Sequence, residues 1–170
     1  MTTAIKTHSR KSDADGVASA RVADPPSPGP EHKALNAFIG KWMTVGQTVA
    51  SEGAPSAKIL ASDVYEWAPG GFFVVHSAYG RIGDAGVGGI EIIGFDAANK
   101  NYGSQFFDSQ GNCSTSELTA RGRTWTWTGE KTRCTSVTSD NGKSMSAHHE
   151  RTDDGVNWMP TMDVILTKVE

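Results

Sequence analysis

The sequence predicts an all-β fold, an antiparallel up-and-down barrel of about ten strands with a short N-terminal helix. From Phe38 onward, short segments alternate apolar and polar residues with the period of two that is typical of strands with one buried face. Gly, Asn and Asp turns separate the segments, so that consecutive strands can pair as hairpins. No linking segment carries a helical period, which excludes a parallel sheet. A sandwich is the alternative, but unbroken hairpin order favours the barrel because closure removes exposed edges.

The chain divides into a tail, residues 1–29, and a barrel domain, residues 30–170. The tail mixes small, charged and proline residues, and it has too few large apolar side chains to repay the backbone entropy of ordering, so we expect disorder. Residues 30–39 predict a short helix with a proline in its first turn, and Gly40 ends it. A helix of this length is unstable alone, so we expect it to pack over an apolar surface.

Ten strands are predicted in the barrel domain. They lie at residues 41–50, 57–67, 71–80, 87–96, 101–108, 113–120, 123–129, 132–138, 144–152 and 157–168. Alternation is clearest at residues 124–128, where Trp125 and Trp127 share one face of the strand and threonines occupy the other.

Composition narrows the class of partner. The net charge is −3 and no run of Lys and Arg occurs, so nucleic acid is not expected as a partner. No stretch approaches the roughly 20 apolar residues of a membrane span. The basic N-terminus has no apolar segment behind it, which predicts a cytoplasmic protein. Cys113 and Cys134 fall in strands that are second neighbours, and we expect two free thiols.

Several short motifs carry a family resemblance. Gly40-Lys41-Trp42 after a short helix resembles the Gly-x-Trp opening of the calycins, the lipocalin and fatty-acid-binding barrels. The order and spacing of the motifs are similar to those of an uncharacterised bacterial family of lipocalin-like barrels. The matching stretches are Gly29-Pro30-Glu31-His32, Gly40-Lys41-Trp42, Gly94-Phe95-Asp96, Asp108-Ser109-Gln110-Gly111 and Asp154-Gly155-Val156-Asn157-Trp158. The resemblance implies a barrel and no established reaction. It also places Lys168, where calycins carry Arg, across the indole of Trp42, where Lys can make a cation–π contact.

The first functional hypothesis is that the lumen binds a small, mostly apolar molecule. A ten-stranded barrel is wide enough to leave space inside, and aromatic side chains are the usual lining of apolar ligand sites. The candidate ligand-contacting residues are Trp42, Tyr65, Trp67, Phe106, Trp125, Trp127 and Met162. Two alternatives stay open: Trp42 plugs the closed end, and the Trp125–Trp127 pair faces outward as an interaction surface, for instance of a homodimer.

The second hypothesis is a cofactor-independent isomerase, cyclase or lyase on the same barrel, with His76, Glu91 and His149 as acid–base residues. His76 lies in an apolar strand. Glu91 lies between isoleucines, so it faces either solvent or the lumen. His148 and His149 are adjacent and must point to opposite sides of the sheet. The alternative is that all of these are singly satisfied strand residues.

No metal site is predicted, because no His-x-His or Cys-x-x-Cys spacing occurs. No cofactor is indicated by a motif. The one exception that we keep open is haem held by a single strand histidine, as in nitrobindin-like ten-stranded barrels.

Overall fold

The structure, a computed structural model, describes residues 26–170. Most of the tail predicted at 1–29 therefore lies outside the described residues. The helix α1 spans Pro30–Ala34 and continues as a 3-10 turn over Leu35–Ala37. Gly40 ends this segment with a φ of 132°, a conformation that side-chain-bearing residues rarely adopt.

Ten strands follow, and each of the ten predicted strands is confirmed. They are β1 (Gly40–Thr48), β2 (Lys58–Trp67), β3 (Phe73–Ile82), β4 (Ala85–Asp96), β5 (Asn101–Asp108), β6 (Cys113–Arg121), β7 (Thr124–Thr128), β8 (Thr132–Thr138), β9 (Ser144–Arg151) and β10 (Met159–Lys168).

The sheet closes on itself. Each strand pairs antiparallel with its neighbours in sequence, and β1 pairs with β10. In the closing pair Trp42 lies opposite Lys168 and Gly46 opposite Val164. The prediction of a barrel over a sandwich is thereby confirmed. Among residues 26–170, closure leaves no strand of this sheet without a neighbour on either side.

The turns between strands follow from local carboxylate chemistry. Asp96, Asp108 and Asp154 each accept hydrogen bonds from backbone N–H groups a few residues ahead and from a following asparagine side chain. At the last of these turns, the bonds donated by Asn157 and Val156 hold the pKa of the Asp154 carboxyl well below its usual range. Each side chain therefore fixes the reversal of the chain that the next strand needs.

One end of the barrel is sealed by the helical segment. Leu35, Phe38 and Trp42 are at most 1% exposed. The Trp42 indole Nε1 donates a hydrogen bond to the Phe38 carbonyl oxygen at 2.7 Å, and the Lys168 ammonium lies 5.2 Å from the centre of the Trp42 ring. The predicted packing of the helix over an apolar surface is confirmed, and so is the Trp–Lys contact that the resemblance implies.

Several large apolar side chains lie on the outer wall of the barrel. On β4, Ile90 and Ile92 point outward and are 49% and 39% exposed, whereas Glu91 between them points into the barrel. On β1 and β10, the apolar side chains of Val45 and Ile165 also lie on the outer wall, where they are 47% and 53% exposed. Between residues 26 and 170, neither helical segment has the length and hydropathy needed to cross a membrane.

Candidate functional site

Three charged side chains meet inside the barrel, one from each of the strands β2, β3 and β4. The His76 ring lies between two carboxylates: its Nε2 is 2.9 Å from Asp63 Oδ1 and its Nδ1 is 3.1 Å from Glu91 Oε2. The His76 and Glu91 side chains are 12% exposed and the Asp63 side chain 9%. Register brings them together, because His76 pairs directly with Glu91 across β3 and β4. Of the two orientations left open for Glu91, the structure shows the inward one.

Two further residues hold this cluster in place. Tyr65, the cross-strand partner of His76 on β2, stacks on the imidazole with ring centres 3.9 Å apart and planes 7° from parallel. The Thr44 hydroxyl donates a hydrogen bond to Asp63 Oδ2. With both ring nitrogens engaged and one face covered, the His76 ring has a fixed orientation.

The electrostatics of the cluster favour a charged imidazole. Burial opposes charge on His76, but the hydrogen bonds to Asp63 and Glu91 outweigh it, so the pKa of His76 is raised above its ordinary value. With the imidazole protonated, the ring and the two carboxylates together carry a formal charge of −1. Burial, followed by the charges of Glu91 and Asp63, raises the pKa of Tyr65 well above its ordinary value, so Tyr65 stays a neutral phenol that can donate a hydrogen bond.

The opposite wall of the lumen carries a different set of side chains. Cys134 on β8 and His149 on β9 pair directly, with Sγ and Nε2 3.5 Å apart. Burial and the charge of Glu91 raise the pKa of Cys134 to about 12. Burial, and then the neighbouring His148, lower the pKa of His149. In the closed sheet of ten strands, β8 and β9 lie five strands away from β3 and β4, so the two walls face each other across the lumen.

An aromatic group fills the lumen next to the sealed end. Phe38 stacks on Tyr65 at 5.7 Å between ring centres and meets Trp125 and Trp127 edge-on at 5.0 and 5.5 Å. The Trp127 Nε1 is buried and finds no hydrogen-bond partner among residues 26–170. Both tryptophans therefore face the lumen, and an outward interface built from the pair is not what the structure shows.

The sequence of the barrel matches one protein family over almost its whole length. The profile of a family described as "Protein of unknown function (DUF1579)" matches residues 27–165. The chain belongs to the DUF1579 family. The predicted resemblance to an uncharacterised family of calycin-like barrels is thus confirmed. No match to this DUF1579 protein was found among curated proteins.

The fold of this DUF1579 barrel is similar to that of a solved crystal structure. The crystal structure of Rv2717c from M. tuberculosis is similar with a TM-score of 0.61 and 11% sequence identity, over 84% of this chain and 99% of that chain. A de novo designed fluorescence-activating β-barrel matches with a TM-score of 0.43 and 13% identity, over 79% of this chain and 96% of the design. The likeness to Rv2717c shows the fold alone.

The remaining predicted ligand contacts of the DUF1579 barrel are spread along its axis. Trp42 lies at the sealed end, in the position of a plug. Trp67 Nε1 donates a hydrogen bond to Asn36 Oδ1 at 3.0 Å and so ties β2 to the helical segment. Phe106 pairs across β4 and β5 with Glu91 and is half-buried. Met162 pairs with His149 across β9 and β10.

Of the three predicted acid–base residues, the structure brings His76 and Glu91 into contact, whereas His149 lies on the facing wall.

Three residues of the site were missed from the sequence. Asp63 lies two positions before Tyr65 and therefore on the same face of β2. Since Tyr65 was predicted to face the lumen, the alternation could have placed the Asp63 carboxylate there too. Thr44 likewise lies two positions after Trp42, on the same face of β1. For Cys134 no signal existed, because its neighbours in the site come from other strands.

Two surface depressions lie outside the lumen of the DUF1579 barrel. One, of about 480 Å³, lies on the outer wall over β1, β8, β9 and β10, and Val45, Val137 and Ile165 contribute to its lining. The other, of about 320 Å³, lies beside Lys41 and Trp67 near the sealed end.

Metal and cofactor chemistry is limited by the donors present. Within the described part of the chain, no group of three or more His, Cys, Asp or Glu side chains is arranged to hold a metal ion. Both nitrogens of His76 are engaged by carboxylates, so His76 does not fit the axial ligand of a haem. The other inner-wall histidine is His149. Cys134 contacts its Nε2, so Nδ1 is the ring nitrogen that could bind a haem iron.

Proposed function

We propose that the barrel binds a small, mostly apolar molecule carrying a hydrogen-bond acceptor, and that this molecule enters the lumen at the end opposite Trp42. The observation that carries the proposal is the buried Trp127 Nε1, which has no partner among residues 26–170. A buried donor without an acceptor costs about 1–3 kcal/mol, and a guest that accepts its hydrogen bond would recover that cost.

The exposure of the inner-wall residues supports entry of the guest at the end of the barrel away from the helical segment. Inward-facing side chains near the sealed end are fully buried, among them Trp42, Val74 and Ile93. Toward the other end, inner-wall residues remain partly exposed. These are Ala61, Ala78, Ile82, Phe106, Ser116 and Met162. Solvent therefore reaches this half of the lumen, and a guest can follow the same path.

The middle of the lumen offers polar recognition next to apolar contact. His76 uses one oxygen of Glu91, Oε2, which leaves Oε1 available to a guest. Phe106 lies directly across the strand pair from Glu91. A guest with an apolar body and one or two polar groups matches this arrangement, since most of the lining is apolar and few polar groups fix orientation.

The test uses Nile red, a neutral apolar dye with a carbonyl acceptor, whose fluorescence reports transfer out of water. Phe106→Ala removes a lumen aromatic, and the matched control Phe107→Ala removes its neighbour on the outer wall, which is 42% exposed. We expect the dissociation constant to rise several-fold in F106A and to stay unchanged in F107A. If Ile165→Ser abolishes dye binding and F106A does not, the site is the outer depression and the proposal is wrong. Native mass spectrometry of the purified protein would then identify any molecule that accompanies it.

A second candidate function, cofactor-independent proton transfer, is favoured by one specific observation. Two histidines of the lumen have pKa values displaced in opposite directions, upward for His76 and downward for His149. Oppositely displaced pKa values are how one site holds an acid and a base at the same pH. In this role, the proton held by His76 reaches the substrate through the Glu91 carboxyl group, whose Oε1 is not used by His76, and His149 accepts a proton.

The test of this second candidate is turnover of hydrophobic ketones and polyenes. The rate should rise with pH through the lowered pKa of His149 and fall through the raised pKa of His76. His76→Ala, Glu91→Gln and His149→Ala should each lower the rate by at least a hundredfold, and His148→Ala, on the outer face, should not. Equal rates in the wild type and in H76A would remove the acid–base role.

A further inference from the structure

Four side chains form a continuous row on the inner wall opposite the Asp63–His76–Glu91 cluster. Trp127 pairs with Cys134 across β7 and β8, Cys134 pairs with His149 across β8 and β9, and His149 pairs with Met162 across β9 and β10. Directly opposed residues on one face have Cβ atoms about 4.5–5.5 Å apart. The row therefore gathers a thiol, an imidazole and a thioether from three adjacent strands.

The spacing of the first two donors fits two ligands on one metal ion, as it fits a hydrogen bond between the thiol and the imidazole. A metal bound to a thiolate at about 2.3 Å and to an imidazole nitrogen at about 2.0 Å, with a near-tetrahedral angle, holds the two donor atoms about 3.5 Å apart. Cys134 Sγ and His149 Nε2 are 3.5 Å apart. Met162 lies opposite His149 on β10, next to a β-bulge between Pro160 and Met162, and its thioether is the third candidate donor. A thioether is outside the His, Cys, Asp and Glu set of ordinary metal sites.

The donor set indicates which metal. Two sulfur donors and one imidazole are soft ligands that favour Cu(I), whereas carboxylate oxygens, which hard ions prefer, are absent from this row. Cys134, Met162 and Trp127 pack against the buried apolar core. On binding, the Cys134 S–H bond breaks, an S–Cu(I) bond forms and the proton leaves to solvent. The resulting thiolate–Cu(I) unit is neutral, so it adds no net charge to an apolar environment.

We propose that Cys134, His149 and Met162 form a binding site for a monovalent soft metal ion, Cu(I), on the lumen wall. This inference goes beyond the proposed binding of an apolar molecule, because it concerns another class of ligand; Trp127 and Met162 border both sites, whereas Cys134 belongs to the metal site alone. Trp127, next in the row, places an aromatic ring beside the ion, an arrangement in which a cation–π contact adds to the affinity.

The experiment titrates the full-length, reduced protein with Cu(I) under anaerobic conditions in competition with the chromogenic chelator bicinchoninate. The wild type should remove one equivalent of Cu(I) from the chelator. Cys134→Ser, His149→Gln and Met162→Leu should each weaken binding at least tenfold. The chain offers matched controls: Cys113→Ser removes an exposed thiol, and Met43→Leu removes a thioether on the outer wall. Both controls should bind as the wild type does.

A second measurement guards against loss of fold. Met162→Leu conserves volume and should cost less than about 1.5 kcal/mol of stability. Silver ion, a redox-inert substitute for Cu(I), should raise the melting temperature of the wild type and of C113S but not of M162L. The proposal is overturned if the wild type takes no Cu(I) from the chelator, if C113S loses binding while C134S keeps it, or if Zn²⁺ displaces Cu(I) at equal concentration.

Discussion

Replacing His76 with leucine would remove the cation that separates two buried carboxylates. Asp63 and Glu91 would then face each other in the lumen with no partner between them. Breaking a buried ion pair by removing one member costs about 3–5 kcal/mol, because the remaining charge stays desolvated. The three side chains are 9–12% exposed, so little of this cost is relieved by solvent. We therefore expect H76L to lose about 3–5 kcal/mol of unfolding free energy at pH 7.

The pH dependence follows from the sign of each pKa change. The pKa of His76 is raised in the folded wild type. Protonated His76 therefore makes its full contribution to the free energy of unfolding below its unfolded-state pKa of about 6.5, and this contribution is lost as the pH rises through the folded-state pKa. As the pH rises from 7 to 9, the His76 imidazole of the wild type loses its positive charge, whereas H76L has no imidazole to lose charge at this position. The difference in unfolding free energy between wild type and H76L should therefore be smaller at pH 9 than at pH 7.

The assay is urea unfolding followed by tryptophan fluorescence at both pH values. The matched control is His148→Leu, which removes an imidazole 2.6 Å from Asp163 on the outer face, where the two side chains are 44% and 64% exposed. An exposed pair contributes about 0–1 kcal/mol, so H148L should stay within about 1 kcal/mol of the wild type. A loss below about 1 kcal/mol in H76L at pH 7, or equal losses in the two variants, would refute the reasoning.

Three further predictions concern the fold. Ellman's reagent should label Cys113 rapidly and Cys134, with its pKa raised to about 12, only on unfolding; rapid labelling of both thiols in the native protein would contradict this. Trp42→Phe should cost about 1–3 kcal/mol in thermal unfolding, because it removes a hydrogen bond to the helical segment and weakens the contact with the closing lysine, and an unchanged melting temperature would disprove it. Gly46→Ala should cost about 1–3 kcal/mol, since the added Cβ meets backbone of β10 at the closing strand pair, whereas Gly86→Ala, with open space around it, should be neutral in the same urea titration.

Much of the fold could be predicted from interactions between residues that are close in sequence. The turns at Asp96, Asp108 and Asp154 stop β4, β5 and β9 within a few residues of their predicted ends, because a side chain that binds its own backbone reverses the chain whatever lies elsewhere. The alternation at Trp125 and Trp127 likewise required one shared face. The adjacency of His148 and His149 required one inward ring, which the structure shows to be His149.

The direction of each face was decided only by the closed sheet. Alternation on β4 separates Glu91 from Ile90 and Ile92 but does not say which side is the inside, and hydrophobicity alone would have placed the isoleucines in the core. The structure places the carboxylate inside because His76 and Asp63 meet it there, and those contacts depend on the register of three strands.

The sequence by itself determined the strands, their turns, their hairpin order and the residues of each strand that share a face, since all of these depend on side chains within a few positions of one another. Tertiary structure decided that Asp63, His76 and Glu91 form one cluster and that Cys134, His149 and Met162 form a row on the facing wall. The physical reason is that these side chains come from different strands, and their distances are set by register and barrel closure, which no local pattern encodes.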